Sequence, residues 1–218
     1  MNKVLGVIPA RLKSTRLPQK MLADINGRPL IYYTYHQAKK ARSLDDVVIA
    51  TDSELIENTV KKWGAKVIMT SPKHKSGSDR VAEAVKKFKE FNPNVVINIQ
   101  GDEPIIDPKA IDMLSRVLLN TDAVMATVAS PFKDKKDISK PNFVKLVRDA
   151  DGMAIYFSRS AIPFARGKFN DYLCHIGIFG FKKDFLVKYV NMKQTSLEIA
   201  ESLEQLRVLE NGFKIKVI

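Results

Sequence analysis

Residues 4–20 read VLGVIPARLKSTRLPQK, an apolar run followed by a proline-punctuated loop that carries Arg11, Lys13, Arg16 and Lys20 and no acidic residue. A short run rich in β-branched residues and bounded by turn formers is the pattern of a strand covered on both faces. Comparable runs recur at residues 47–50, 67–69 and 95–99. Helical spacing fills the gaps between them. Val81, Ala84, Val85, Phe88 and Phe91 make one stripe, and Asp107 with Pro108 supplies an N-cap and first-turn proline ahead of Ile111, Leu114 and Leu118. The alternation predicts an α/β fold, a Rossmann-like doubly wound and mostly parallel sheet. In such sheets ligands sit beyond the carboxyl ends of the strands, so the loop after residue 8 is where chemistry is expected.

Past about residue 128 the rhythm changes. A polar, lysine-rich stretch over 131–141 leads to apolar residues 143–148, a turn at Gly152 and a second apolar stretch at 153–157, which reads as an antiparallel insertion, either a lid or a dimer arm. Residues 158–171, with Pro163 and Gly167, read as a loop. Thr195 and Glu198 form a capping-box pair for one late helix with a core stripe of Ile199, Leu203, Leu206 and Leu209. Glu201, Glu204, Gln205 and Val208 fall on its other face. No linker or repeat interrupts the 218 residues, so a single domain is expected.

Composition narrows the function. A net charge of +12 calls for an anionic partner, which could be a nucleic acid or a small polyanion. No apolar run is long enough to span a bilayer and no leader pattern opens the chain, so a soluble cytoplasmic protein without a membrane partner is expected. Cys174 is the only cysteine, which excludes an intrachain disulfide and a multi-cysteine zinc site. Basic residues are not interleaved with aromatics as in a nucleic-acid reader, and neither GxxxxGKS/T nor GxGxxG is present. Phosphates bound by the 8–20 loop would therefore be neutralised mainly by side chains.

The segment IPAR followed by STRLPQK (residues 8–20) resembles the signature of sugar nucleotidyltransferases, in the form typical of 3-deoxy-manno-octulosonate (KDO) cytidylyltransferases. Further motifs follow in order: ATD at 50–52, HKSGSDR at 74–80, NIQGDEP at 98–104, YFSR at 156–159, HIG at 175–177 and LEQLRVL at 203–209. Ser78 and Asp79 depart from the more usual SGTER, and Phe179 and Phe181 stand where tyrosines are common. The resemblance implies transfer of CMP from CTP to KDO with release of pyrophosphate, Mg²⁺ as cofactor, and a homodimer formed through the insertion. It implies a nucleotide-binding half over 1–128 and a sugar-binding and dimerisation half over 129–218.

Carried over residue by residue, Arg11 and Lys20 clamp phosphate, Asp102 ligates the metal, and Ala10, Arg11, Lys20, Ser78, Arg80 and Gly101 meet CTP. Arg80, Gln100, Arg159, His175, Glu204 and Gln205 meet the sugar acid, while His36 reads as structural. Physical chemistry gives the same roles to the loop cations and to a hard carboxylate after a strand. Family members continue past residues 214–218 into a segment whose aspartate completes the metal site, so one metal carboxylate is expected to lie outside these 218 residues. Remaining alternatives are a cytidylyltransferase for 8-amino-KDO or neuraminate, and a basic nucleic-acid-binding protein.

Overall fold

The computed structural model describes residues 2–12 and 17–218; Lys13 and Arg16 lie outside the described residues. The first half runs β1 (Val4–Ala10), a 3₁₀ turn (Lys20–Leu22), a two-residue ribbon β2 (Asp24–Ile25) and β3 (Arg28–Pro29), α1 (Leu30–Ala38), β4 (Asp46–Thr51), α2 (Glu54–Lys61), β5 (Lys66–Met69), α3 (Gly77–Lys87), β6 (Val95–Asn98) and α4 (Pro108–Asn120). The second half runs β7 (Met125–Pro131), β8 (Lys145–Arg148), β9 (Ala154–Ser158), β10 (Leu173–Lys182), α5 (Lys183–Val190), α6 (Ser196–Glu201), α7 (Leu206–Glu210) and β11 (Ile215–Val217).

One mixed sheet takes strands from both halves, in the order β11-β7-β10-β6-β1-β4-β5, with β8 paired to β10 and β9 to β8. β1, β4, β5 and β6 are mutually parallel, and β10 lies antiparallel between β6 and β7. The chain moves from β1 outward to β4 and β5, then returns to place β6 on the other side of β1. That reversal is a topological switch point, where the connections diverge and leave a crevice at the carboxyl ends of β1 and β6. Helices α1, α2 and α4 cover one sheet face through Ile31, Ile56, Ile111 and Leu114. Helices α3, α5 and α7 cover the other through Val81, Leu186 and Leu206, packed with Val7, Val48 and Phe181.

Local signals acted as read in several places. Asp107 caps α4 by accepting from the Lys109 amide at 2.9 Å, with Pro108 in the first turn. The antiparallel insertion is the β8–β9 hairpin, turned at Gly152 with φ of 72°, a conformation that glycine adopts without steric cost. Among the described residues no helix is long and apolar enough to cross a membrane.

Two helix expectations are corrected. α3 ends at Lys87, and Phe91 lies beyond it with its ring stacked on Phe88 at 5.5 Å. Residues spaced by three meet on one side of a compact turn as well as on a helix, and here Asn92 in the left-handed region and Pro93 close the turn. The single late helix is two short ones, α6 and α7, broken where Ser202 takes φ of 52°. Ile199 is 63% exposed rather than part of the core. The break turns Arg207 inward, where its guanidinium donates to both oxygens of Glu198 at 2.8 and 2.5 Å. Burying that pair needs both partners, and one continuous helix would not bring them together in this way.

Candidate active site

The carboxyl ends of β1 and β6, the turn before α1 and the N-terminus of α3 enclose a cleft of about 320 Å³. Ala10, Arg11, Lys20, Arg80, Gln100, Gly101 and Asp102, all singled out in the sequence, line it together. Two chain segments can approach so closely because residue 101 has no side chain. A Cβ there would stand 2.9 Å from Met21 Sδ and 3.1 Å from the Pro9 carbonyl oxygen. The Gly101 carbonyl accepts from the buried Thr34 hydroxyl at 2.9 Å, which ties the β6 end to α1.

On the opposite wall α3 opens into the cleft through Ser76 and Gly77. Ser76 and Asp79 close a capping box, each side chain bonding the other residue's amide at 3.1 Å. The Asp79 departure thus keeps the carboxylate that the cap requires. Helix N-termini present amides and a partial positive charge, which suits phosphate.

The charges divide into pinned and available groups. Lys20 Nζ sits 2.5 Å from Asp102 Oδ2, both side chains about one-third exposed, so the cation expected to hold phosphate and the carboxylate expected to hold the metal are neighbours. Arg80 is buried and held by Thr70 Oγ1 at 2.5 Å and by Asp52 at 3.1 Å, so it carries positive charge to the cleft wall from a fixed position. His74 is paired with Glu83. Burial pushes the Glu83 carboxyl up, but Lys87, the Ser71 amide and His74 outweigh it and hold it at about 2. Lys75 completes the basic wall.

A second group of predicted residues lies behind the cleft. Ser78 is buried and its hydroxyl meets Glu204 Oε1 at 3.1 Å instead of lining the cleft. Gln205 is buried beside Glu204 in sequence, and Glu204 Oε2, Gln205 Nε2 and Asn98 Oδ1 are buried atoms with no hydrogen-bond partner. Burial raises the Glu204 carboxyl above its ordinary range, against the Ser78 donor, the nearby Tyr189 hydroxyl and the charge of Arg207.

His175 lies on β10, where Gly177 in the bulge approaches the Gln100 side chain. Its Nε2 is 2.8 Å from Thr127 Oγ1, whose own proton goes to the Ile178 carbonyl at 2.7 Å. Nε2 therefore carries the imidazole proton. Burial alone lowers the ring to about 4, so the ring is neutral at neutral pH. Arg159 is turned elsewhere, donating to the carbonyls of Glu201 (2.7 Å), Pro141 (3.0 Å) and Ser202 (3.3 Å), so it straps the hairpin to the α6–α7 connection. Phe179 and Phe181 are core residues, and the Phe179 ring packs 5.1 Å from His175. His36 packs on Tyr32 with ring centroids 4.1 Å apart, on α1.

Lys75, Asn98 and Thr127 were not foreseen as individual site residues, although the first two fall inside quoted motifs. Thr127 carried no signal, since a threonine in a strand is ordinary.

A switch-point cleft walled by cations and a helix N-terminus, with the Asp102 carboxylate among its lining residues, has the chemistry that suits a nucleoside triphosphate. The sequence model of the cytidylyltransferase family matches residues 5–215, and the chain belongs to that family. A relative from Fusobacterium nucleatum subsp. nucleatum is 49% identical over 99% of this chain and 88% of its own length, and is named 3-deoxy-manno-octulosonate cytidylyltransferase. A relative of the same name from Francisella tularensis subsp. tularensis is 45% identical over all of this chain and 90% of its own. Among solved structures, a CMP:2-keto-3-deoxy-manno-octonic acid synthetase complexed with CTP superposes with a TM-score of 0.94 at 37% identity, covering 100% of this chain and 89% of the other.

Proposed function

We propose that this chain transfers CMP from CTP to KDO, yielding CMP-KDO and pyrophosphate for lipopolysaccharide synthesis. The observation that carries the reading is the cleft in which Arg11, Lys20, Lys75 and the α3 N-terminus gather with Asp102, while the partnerless polar atoms of Glu204 and Gln205 lie buried behind the first turn of α3, where Glu204 meets Ser78. The first group suits a triphosphate and the second suits a polyhydroxylated acid.

In the reaction the anomeric hydroxyl of the sugar acid forms a bond to the α-phosphorus as the bond to the bridging oxygen breaks. Its proton is released and pyrophosphate leaves with the bonding electrons. Arg11 and Lys20 hold the phosphates and offset the charge that grows on the leaving group. Gln100, which lines the cleft, and the neutral His175 are assigned to the acceptor as hydrogen-bonding groups, with the Nδ1 lone pair of His175 as the acceptor atom of the ring.

Mg²⁺ belongs to the same proposal. Among the described residues no three His, Cys, Asp or Glu side chains gather as a metal cage. Asp102 nonetheless fits, because Mg²⁺ is commonly held by one or two carboxylates plus substrate phosphates, and Asp102 Oδ2 already faces a cation in Lys20. When bound there, the ion supplies Lewis-acid charge to the phosphate oxygens. Assembly of two copies through the insertion and residence in the cytoplasm complete the reading. Exposed Ile155, Phe164 and Phe169 on the insertion and its following loop support the dimer.

The test is pyrophosphate release with CTP or UTP against KDO, 8-amino-KDO and N-acetylneuraminate, with a salt titration of DNA binding alongside. Release with CTP and KDO at the highest kcat/KM supports the proposal. Preference for another acid reassigns the substrate, and no release with steep salt-dependent DNA binding overturns the reading.

A further inference from the structure

Gly77 lines the phosphate cleft, but the next residue of α3 points away from it. Ser78 is 1% exposed, and its hydroxyl lies 3.4 Å from Asn98 Nδ2 and 3.1 Å from Glu204 Oε1. The direction of the chain is fixed by chemistry. An amide nitrogen can only donate, and a serine hydroxyl has one proton, so Asn98 donates to Ser78 and Ser78 donates to Glu204. The three residues come from β6, the first turn of α3 and the break between α6 and α7. The Tyr189 hydroxyl donates to the Glu204 carbonyl at 3.2 Å, which fixes the backbone from which the carboxylate extends.

The relay occupies one carboxylate oxygen and leaves the other, Oε2, buried without a partner. A buried carboxylate oxygen left bare is costly unless a ligand completes it. Asn98 ends β6 two residues before Gln100, which lines the cleft, so the relay begins close in the chain to a residue of the cleft.

We propose that Ser78, held by Asn98, is a positioning residue for the sugar-acid acceptor: it orients the Glu204 carboxylate so that Oε2 is free to accept a hydrogen bond from an acceptor hydroxyl. The proposal rests on the reading of the acceptor given above. It makes the first turn of α3 serve both substrates, with the Gly77 side turned to the nucleotide phosphates and the Ser78 side to the acceptor.

The experiment compares Ser78→Ala, Ser78→Thr, Glu204→Gln and the double variant Ser78→Ala/Glu204→Gln, with KM for CTP and for the sugar acid measured separately. Removing a hydrogen bond to a charged acceptor is expected to raise the sugar-acid KM about tenfold in Ser78→Ala, with the CTP KM within about twofold of wild type. Ser78→Thr should return the sugar-acid KM to within about threefold. The double variant should be no worse than Glu204→Gln, because residues that act through one another are not additive. Effects of Ser78→Ala that fall equally on both KM values, that persist in Ser78→Thr, or that add to those of Glu204→Gln overturn the proposal. A wild-type chain that releases no pyrophosphate from CTP with any sugar acid overturns the parent reading and this one with it, whereas an active wild type with an unchanged Ser78→Ala overturns this one alone.

Discussion

Replacing Lys20 with alanine separates what the cleft contributes to chemistry from what it contributes to folding. Lys20 and Asp102 are 2.5 Å apart with side-chain exposures of 34% and 33%, so water screens the pair. Exposed pairs of this kind contribute about 0–1 kcal/mol to stability. The interaction with a transferring phosphate is of another size. At an effective dielectric of about 20, unit charges about 4 Å apart interact by about 4 kcal/mol, and only the part that grows in the transition state lowers the barrier. Loss of one preorganised donor to such charge costs about 10²–10³ in kcat in well-studied sites. Lys20→Ala is therefore expected to lower kcat/KM for CTP by about 10²–10³-fold while moving the urea midpoint by no more than about 1 kcal/mol equivalent. Continuous pyrophosphate detection with saturating KDO measures the first quantity and denaturation followed by circular dichroism the second. A kcat/KM within threefold of wild type refutes the clamp, and a loss of several kcal/mol shows that Lys20 is a folding residue instead.

Asp102→Asn keeps the shape of the side chain but loses the charge a hard cation requires, so Mg²⁺-dependent turnover should disappear while CTP still binds by calorimetry; retained Mg²⁺ dependence would remove Asp102 from the metal site. His175, neutral in the fold and lowered to about 4, binds a proton more readily when unfolded, so stability falls as pH drops from about 6.5 toward about 4. Over that full window the loss is about 3 kcal/mol, and His175→Gln should flatten it in urea titrations at pH 5.0 and 7.5; parallel slopes would contradict the assignment. Lys145 is fully buried and donates to the carbonyls of Lys140 (3.1 Å), Phe143 (2.7 Å) and Arg159. Lys145→Met strands those acceptors, so it should cost about 3 kcal/mol in chemical denaturation, and a loss below about 1 kcal/mol would mean that water replaces the ammonium.

Much of the fold could be read because its first half obeys simple periodicities. The run at 4–8 and the Asp107-Pro108 pair each mean one thing locally, and both became the elements they suggest. β10 was harder, since CHIGIFGF holds two glycines and a bulge, and its antiparallel place between β6 and β7 depends on partners distant in sequence. The α6–α7 break was invisible for a similar reason. Ile199, Leu203, Leu206 and Leu209 keep helical spacing, while the left-handed Ser202 is selected by the buried Glu198–Arg207 pair, which periodicity does not report. The cleft residues were legible because strand ends and loops concentrate them in short motifs. The direction in which Ser78 and Arg159 point was not, since it depends on Glu204, Glu201 and Ser202 more than forty residues away.

The place of β10 also bears on how the chain folds as it is synthesised. β6 and β7 both precede it, yet neither pairs with the other, and each presents to β10 the edge it uses in the finished sheet. Until residues 173–182 leave the ribosome, two apolar strands stand with unpaired amides and carbonyls, a state open to pairing with another nascent chain. Insertion of β10 closes both edges at once and brings Gly177 up to the Gln100 side chain, so the strand that removes the aggregation hazard also packs against a residue of the cleft in the same event.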